Sequence, residues 1–204
     1  MFIARKHQIL YKNIIMRKIT TEELVAAKLP LEEFNKLSKS PITVVVDGIR
    51  SLDNVGLIFR ICDAYHVKKL YLCGITGYPA VTNDERPPHI IERQDRRINK
   101  TAIKTISYMD WEHRENVEDV LTERKKVGDS IVILEQTDCS EDYQKTKYTF
   151  PLTLVVGHER TGVSDAILKT AEKIIEIPMH GMGNSHNVAV STAIVLAHIK
   201  SVEI

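Results

Sequence analysis

The residues best suited to binding a small molecule lie between an apolar strand and a C-terminal helix. The strand, Ile174–Ile177, ends at Pro178 and is followed by Met179–Asn184, which holds two glycines and two methionines. Regular structure is predicted to resume over Ser185–Ala193. A strand-to-helix junction of this composition offers free backbone amides and apolar walls. We therefore predict that this junction binds a small ligand.

A second polar segment follows an apolar strand much earlier in the chain. Gly48 permits a tight turn, Asp53 or Asn54 can cap a helix, and Arg60 lies about two turns further on. The segment is compatible with a capped helix that carries a solvated arginine. It is also compatible with an arginine that reaches a cleft at the strand ends.

A third polar segment, Gly157–Gly162, also stands between an apolar strand and a predicted helix. Within it Glu159 occupies a place where helix amides stabilise a carboxylate. The backbone of this loop could meet a ligand, and a plain polar turn would have the same composition.

Metal and dinucleotide sites are not indicated. Three of the eight histidines, His158, His180 and His186, lie near the ligand loops, but no two histidines have the i, i+4 spacing of a zinc-binding helix. The Gly181-x-Gly183 pair lacks the third glycine and the acidic partner of a nicotinamide dinucleotide fingerprint. We predict neither a bound metal nor a nicotinamide dinucleotide.

Two basic clusters are present, although the net charge is only +1. A nucleic acid would therefore be held by local patches rather than by a global field. The cluster Arg124–Lys126 ends a predicted helix, where cations are favoured, and is interpreted as solvated surface. The other cluster is the better candidate for phosphate contacts; it comprises Arg93, Arg96, Arg97, Lys100 and Lys104.

The elements that must position these residues alternate between apolar runs and helical patterns. Continuously apolar strands imply a parallel sheet covered on both faces, so we predict an α/β fold. The predicted strands are Ile42–Val46, Leu70–Cys73, Ile131–Leu134, Leu152–Val156 and Ile174–Ile177. The predicted helices are Val55–Tyr65, Val117–Lys126, Val163–Ala171 and Asn187–Val202.

Two regions depart from this alternation. Residues 1–40 are predicted to be an N-terminal extension and a helical arm, in which Thr20 and Glu23 form a capping box and Pro30 breaks the helix. Gly74–Tyr108 holds several prolines and a long polar run, and is predicted to be an irregular loop. Residues 41–204 are predicted to form the main domain.

Composition restricts the compartment and the class of protein. The 43% hydrophobic and 27% charged fractions are ordinary for a globular protein. Three widely spaced cysteines favour a reducing, cytoplasmic compartment, and no apolar run is long enough for a membrane span. Residues 1–15 are compatible with a flexible tail, an ordered arm, a weak transit-like peptide or a start upstream of a natural Met16.

Taken in order, the three polar segments resemble one known family. The motifs are Asn54-x-Gly56-x-x-x-Arg60, Gly157-x-Glu159-x-x-Gly162, and Ile177-Pro178-Met179 followed by Ser185-x-Asn187-Val188. This ordered set is similar to the SpoU/TrmH branch of the SPOUT RNA methyltransferases and spans about residues 42–200. The resemblance implies a C-terminal deep trefoil knot, a homodimer with the site at the subunit interface, and S-adenosylmethionine as methyl donor.

The resemblance also implies the acceptor and the roles of individual residues. The acceptor would be a ribose 2′-hydroxyl of tRNA or rRNA. The functional polar positions would be Asn54, Arg60, Glu159, Ser185 and Asn187. The cofactor would be held mainly by backbone at Leu134, Glu135, Gln136, Gly157, Ile177, Met179, Ser185 and His186. An alternative function is a catalytically silent RNA-binding protein of the same fold; a nucleotide-dependent oxidoreductase lacks its fingerprint.

The sequence departs from the family pattern in three places. His186 stands where the family usually has leucine, and Ala189 where it has serine. Thr101–Thr105 is an imperfect version of a Thr-Ala-Leu-Gly-Ala segment, with Lys104 in place of the glycine. His186 matters little if it contributes main-chain atoms, whereas Lys104 could alter the RNA-facing surface.

Overall fold

The computed structural model describes residues 17–158 and 161–203, and the chain divides into two units, Met1–Ser38 and Lys39–Ile204. The described part of the first unit holds two short helices, α1 (Thr21–Ala26) and α2 (Leu31–Phe34). The predicted capping box is confirmed, with Thr20 Oγ1 accepting from Glu23 N at 3.2 Å and Glu23 Oε2 accepting from Thr20 N at 2.9 Å. The alternatives for residues 1–15 lie outside the described residues.

The second unit is built on a parallel seven-stranded sheet, which confirms the predicted α/β class. Every pair of neighbouring strands within the described residues runs parallel. The strand order is β3-β2-β1-β6-β4-β7-β5. The strands are β1 (Ser40–Asp47), β2 (Val67–Cys73), β3 (Trp111–Arg114), β4 (Ser130–Leu134), β5 (Glu141–Asp142), β6 (Leu152–Val156) and β7 (Lys173–Glu176).

Helices cover both faces of this sheet. They are α3 (Leu52–Ala64), α4 (Pro88–Ala102), α5 (Val117–Lys126), α6 (Asp165–Leu168) and α7 (Val188–Val202). Side chains of α3, α4 and α7 pack with Val44 and Val46 of β1, whereas those of α5 and α6 pack with Val45. Because alternate strand residues point to opposite faces, one continuous apolar run serves both layers. No helix among the described residues is long and apolar enough to cross a membrane.

The prediction of an irregular loop over Gly74–Tyr108 is wrong for its second half, which forms α4. Pro87 is the N-cap residue and Pro88 the first helical residue, where a missing N–H costs no helical hydrogen bond. Only Ile98 and Ala102 of α4 are buried, so its apolar stripe is too narrow to stand out in the sequence. The cluster at 93–100 is therefore helical, and Lys104 follows the helix end.

The first half of that segment is irregular, as predicted, and Arg86 holds it in place. The Arg86 guanidinium lies 3.4 Å from the centre of the Tyr78 ring and donates to the carbonyl of Tyr78 at 2.9 Å. It also pairs with Asp84 at 2.5 Å and donates to Gln94 Oε1 of α4. These contacts hold the Arg86 side chain within the loop and fix the first turns of α4 against it.

Other boundaries were also missed or misplaced. Helix α3 begins earlier than predicted, and its N-cap is Ser51, whose Oγ accepts from Asn54 N at 3.3 Å, so the prediction that Asp53 or Asn54 caps it is wrong. The predicted helix over Val163–Ala171 contains only the four-residue α6. Strands β3 and β5 were not predicted, because four and two residues are too few for a visible period.

Gly56 is the point where α3 and α4 come closest. A Cβ at this position would lie 2.1 Å from Thr101 Oγ1 and 2.3 Å from the carbonyl oxygen of Ile98. We expect Gly56→Ala to lower the free energy of unfolding by about 2–3 kcal/mol, because the helices must move apart or break this contact. Urea unfolding at fixed protein concentration measures the change.

Gly181→Ala is the matched control, since a Cβ there would have no atom within 4 Å. Its free energy of unfolding should change by less than about 0.5 kcal/mol. Equal stability of the two variants would show that the helix contact at Gly56 is not limiting.

Candidate active site

One cleft opens at the carboxyl ends of β4 and β6, which are neighbours in the sheet. The cleft has a volume of about 520 Å³, within the range of roughly 300–1,000 Å³ that is typical of small-molecule sites. Its walls come from the β4 end, the loop after β6 and the segment that enters α7. A smaller pocket of about 120 Å³ shares several of these residues.

All eight residues predicted to hold a cofactor lie on this cleft or on the smaller pocket. They come from four separate parts of the chain, which the parallel topology brings to one edge of the sheet. Leu134, Glu135, Gln136, Ser185 and His186 line both cavities, Gly157 lines the larger, and Ile177 and Met179 line the smaller.

The segment before α7 presents unused backbone donors to this region. Within the described part of the chain, the amides of residues 179–186 donate no hydrogen bond to a protein acceptor. The Gln136 side chain holds this segment by donating to the carbonyl of Asn184 at 3.0 Å. A ligand with several acceptor atoms, such as an adenine ring, matches a row of free amides.

Glu135 fastens the β4 end to the loop after β6. Its Oε2 accepts from Val163 N and its Oε1 from Gln136 N, each at 2.9 Å. Gly162, in the left-handed region with φ of 64°, leaves room for this carboxylate, since a Cβ there would lie 2.2 Å from Oε2. We predicted from the sequence that Glu135 contacts the cofactor through its backbone. No local sequence pattern indicated a role for its side chain.

Asn54 and Asn187 meet between α3 and α7. Asn187 caps α7 by accepting from Ala189 N at 2.9 Å and from Val190 N at 3.3 Å through Oδ1. Its Nδ2 donates to Asn54 Oδ1 at 3.1 Å. Asn187 also lines the cleft, so this hydrogen bond links the cleft wall to the start of α3.

The remaining predicted polar residues are placed differently. Ser185 lines both cavities, whereas Arg60 lies six residues beyond Asn54 on α3, about 9 Å along the helix axis. Arg60 is exposed and forms no hydrogen bond or ion pair with another described residue. Glu159 lies outside the described residues.

The predicted phosphate-binding cations form a stripe on α4 rather than a loop. Arg93, Arg96 and Lys100 are exposed at helical spacing, without ion pairs to described residues. Arg97 instead pairs with Asp53 of α3 at 2.5 Å, and this hydrogen bond lowers the pKa of the Asp53 carboxyl. Arg97 is thus less available to an external ligand than its neighbours.

Comparison with known proteins identifies the family. The profile of the SpoU rRNA Methylase family matches residues 41–197, which is more than three quarters of the chain. The chain belongs to this family. The SpoU match covers every strand of the sheet except the first residue of β1, and all the residues of the cleft.

Individual SpoU relatives agree with this assignment. A tRNA (guanosine(18)-2′-O)-methyltransferase from Aquifex aeolicus is 32% identical over 171 residues, which cover 81% of this chain and 72% of the relative. The crystal structure of the A. aeolicus TrmH/SpoU tRNA modifying enzyme is 30% identical, with a TM-score of 0.69 over 84% of this chain and 79% of that one. An AdoMet-bound rRNA methyltransferase from Sinorhizobium meliloti shares the fold, with a TM-score of 0.67 and 22% identity over 85% of this chain and 60% of that one.

The hydrogen bonds of Glu135 predict a measurable effect on this SpoU cleft. We expect Glu135→Ala to raise the Kd for S-adenosylmethionine about tenfold, because the amides of Val163 and Gln136 lose a charged acceptor and the loop after β6 loses its anchor. Glu135→Gln retains the size and one acceptor oxygen, so its Kd should rise less. Calorimetry measures both, and unchanged affinity of Glu135→Ala would contradict the anchoring role.

Proposed function

We propose that this protein transfers a methyl group from S-adenosylmethionine to a ribose 2′-hydroxyl of tRNA or rRNA. The observation that carries the proposal is the convergence of all eight predicted cofactor residues on the cleft and the smaller pocket beside it in a SpoU chain. The named A. aeolicus relative acts on tRNA at guanosine 18, so a tRNA ribose is the first acceptor to test.

The residues of the cleft fit S-adenosylmethionine. The free amides of 179–186 suit the purine, and the carboxylate of Glu135 is compatible with a cationic ligand. Gly157 allows close packing against Val163 in the cleft wall, since a Cβ at position 157 would lie 2.5 Å from Val163 Cγ2. When bound, the cofactor supplies a methyl group activated by its sulfonium. Backbone around Leu134–Gln136, Gly157 and Ile177–Met179 would hold it.

In this proposal the chain contributes orientation and charge. Asn187 and Asn54 fix the start of α7 against α3, and Ser185 is a further polar residue of the cleft. Glu159 is included as a polar position on the family resemblance alone. Arg60 hydrogen-bonds the acceptor ribose oxygen and stabilises the negative charge that develops there. A guanidinium is a poor base, because its pKa lies above about 12, so we assign Arg60 this electrostatic role rather than proton abstraction.

The same proposal includes a homodimer whose interface completes the site. Arg60 does not line the cleft of its own protomer, and its neighbour Leu57 is 37% exposed on the same helix. Val190, at the start of α7, is 47% exposed. A second copy that covers this face would bring a free guanidinium to the cleft region. The trefoil knot is a proposal that rests on the family resemblance, whereas the arm over residues 1–40 is a proposal that rests on the capping box and on Pro30.

RNA would dock on the exposed cations of α4 and of the turn that follows it, which are Arg93, Arg96, Lys100 and Lys104. Arg97 is less available, because it pairs with Asp53. The affinity should fall steeply with salt, since phosphate contacts release counterions. A cytoplasmic location agrees with RNA as substrate and with three free cysteines, of which Cys139 is exposed.

One experiment separates the proposal from a catalytically silent RNA-binding protein. The purified chain is titrated with S-adenosylmethionine in a calorimeter and then incubated with tritiated cofactor and unmodified tRNA or rRNA. Mass analysis of the digested RNA should show a 2′-O-methylated nucleoside. RNA binding without cofactor binding would favour the silent protein, and cofactor binding with base methylation would refute the ribose acceptor.

A further inference from the structure

Two consecutive non-glycine residues after α4 adopt the left-handed backbone conformation. Ile103 has a φ of 49° and Lys104 a φ of 67°. A Cβ disfavours this region, most of all in a β-branched residue, whereas glycine enters it without strain. The chain therefore carries strain at a position where glycine would serve the turn better.

Local hydrogen bonds maintain the strained turn. The Ile103 amide donates to the carbonyl of Asn99 at 3.2 Å, and Thr105 Oγ1 donates to that of Ala102 at 2.7 Å. Ser107 Oγ donates to the carbonyl of Lys104 itself at 2.9 Å. None of these bonds uses the Lys104 side chain, so the turn does not need a lysine.

The Lys104 side chain has no internal role among the described residues. It is exposed and makes no hydrogen bond or ion pair with another described residue. Ile103 is likewise 56% exposed, so burial does not offset the strain. A strained residue without internal contacts indicates a role toward an external ligand.

The strained turn is connected to the Asn54 side of the proposed site through the end of α4. Thr101, three residues before Lys104, donates through Oγ1 to the carbonyl of Asp53 at 3.0 Å. Asp53 precedes Asn54, which is bonded to Asn187 at the cleft. On its other side the turn continues the line of exposed cations on α4 that ends at Lys100.

We infer that Lys104 is a substrate-contacting residue that binds an RNA phosphate beside the target ribose, and that the strained turn presents it there. The inference rests on the proposed function and extends it from an RNA surface to one phosphate contact made by a single residue. An ammonium is a compact point charge suited to a phosphate. The alternative is that Lys104 only stabilises the carboxyl end of α4 through the helix dipole.

The test is Lys104→Gly, which removes the charge and the strain together. We expect its Tm to rise by about 2–4 °C, since glycine relieves the left-handed backbone. Its affinity for bulk unmodified tRNA, measured by filter binding, should fall about tenfold at low salt. The slope of log K against log salt should decrease by about 0.9, as for one lost phosphate contact. Its affinity for S-adenosylmethionine should not change.

Three control variants separate charge from backbone effects. Ile103→Gly should raise Tm with tRNA affinity within about twofold of wild type. Lys104→Asn, which tolerates the left-handed region, should lose tRNA affinity as Lys104→Gly does, and Lys104→Arg should retain it. Lys126→Gln removes an exposed cation from α5, on the opposite face of the sheet, and should leave tRNA affinity unchanged.

Two results would overturn the inference: a more stable Lys104→Gly with unchanged tRNA affinity and salt slope, or a lower Tm that reveals a structural role. Failure of the proposed function would look different. It would be seen in the wild-type chain, as absence of S-adenosylmethionine binding or of methyl transfer.

Discussion

Arg60→Ala is expected to lower the single-turnover rate of RNA methylation by about 100- to 1,000-fold, with S-adenosylmethionine affinity within about twofold of wild type. The guanidinium of Arg60 is exposed and unpaired among the described residues, so its removal leaves no buried partner unsatisfied. The lost interaction is the one that stabilises developing charge on the ribose oxygen. Rapid-quench measurements with saturating cofactor and RNA isolate this step.

Arg60→Lys refines the result, because it keeps the charge and loses the planar fork of donors. We expect a rate between those of wild type and Arg60→Ala, with a pH profile of unchanged shape. Lys125→Ala, an exposed cation on α5, is the matched control and should react at the wild-type rate. Near wild-type rates in both Arg60 variants would remove this residue from the chemistry.

The fold could be predicted from the sequence wherever the buried residues follow the period of their element. Leu152–Val156 and Val117–Lys126 have the same bounds in the structure as in the prediction. In both, apolar spacing follows the period of the element. Prediction failed for α4, which buries only Ile98 and Ala102, because a helix held against one neighbour at Gly56 needs little apolar surface. Close backbone contact leaves no periodic signal.

The candidate site, like the fold, could be predicted from the sequence only in part. Residues named through motifs, such as Gly157, Met179 and Asn187, do meet at one edge of the sheet. The Glu135 carboxylate bonds Val163, 28 residues away, and Asn54 bonds Asn187, 133 residues away. Contacts between residues so distant in sequence depend on strand order, which no local pattern carries. The left-handed turn at Lys104 was also invisible, since a polar residue after a helix is ordinary.

Asn187→Ala is expected to lower the free energy of unfolding by about 2–3 kcal/mol, with S-adenosylmethionine affinity reduced about tenfold. The helix cap on Ala189 and Val190 contributes about 1–2 kcal/mol, and loss of the donor to the buried Asn54 adds to this. Affinity falls because the frayed start of α7 forms part of the cleft wall. Urea unfolding at fixed protein concentration and calorimetry provide the two measurements.

Single-atom variants then separate the two roles of Asn187. Asn187→Asp keeps an acceptor for the α7 amides but cannot donate to Asn54, so it should preserve the cap and lose the bridge. Asn54→Asp keeps the acceptor that Asn187 Nδ2 uses, so it should preserve the bridge between the two residues. The asymmetry between these two isosteric changes assigns the donor to Asn187.

A double-mutant cycle of Asn54→Ala and Asn187→Ala should give a coupling energy of about 1 kcal/mol or more, as direct hydrogen-bond partners do. Residues that act independently would instead add within about 0.5 kcal/mol. Additivity here, together with equal stability of Asn187→Asp and wild type, would mean that Asn187 acts only as a cap. The Asn54 motif and the Asn187 motif would then lie side by side without a stabilising hydrogen bond between them. In that case α3 would not stabilise the cleft wall.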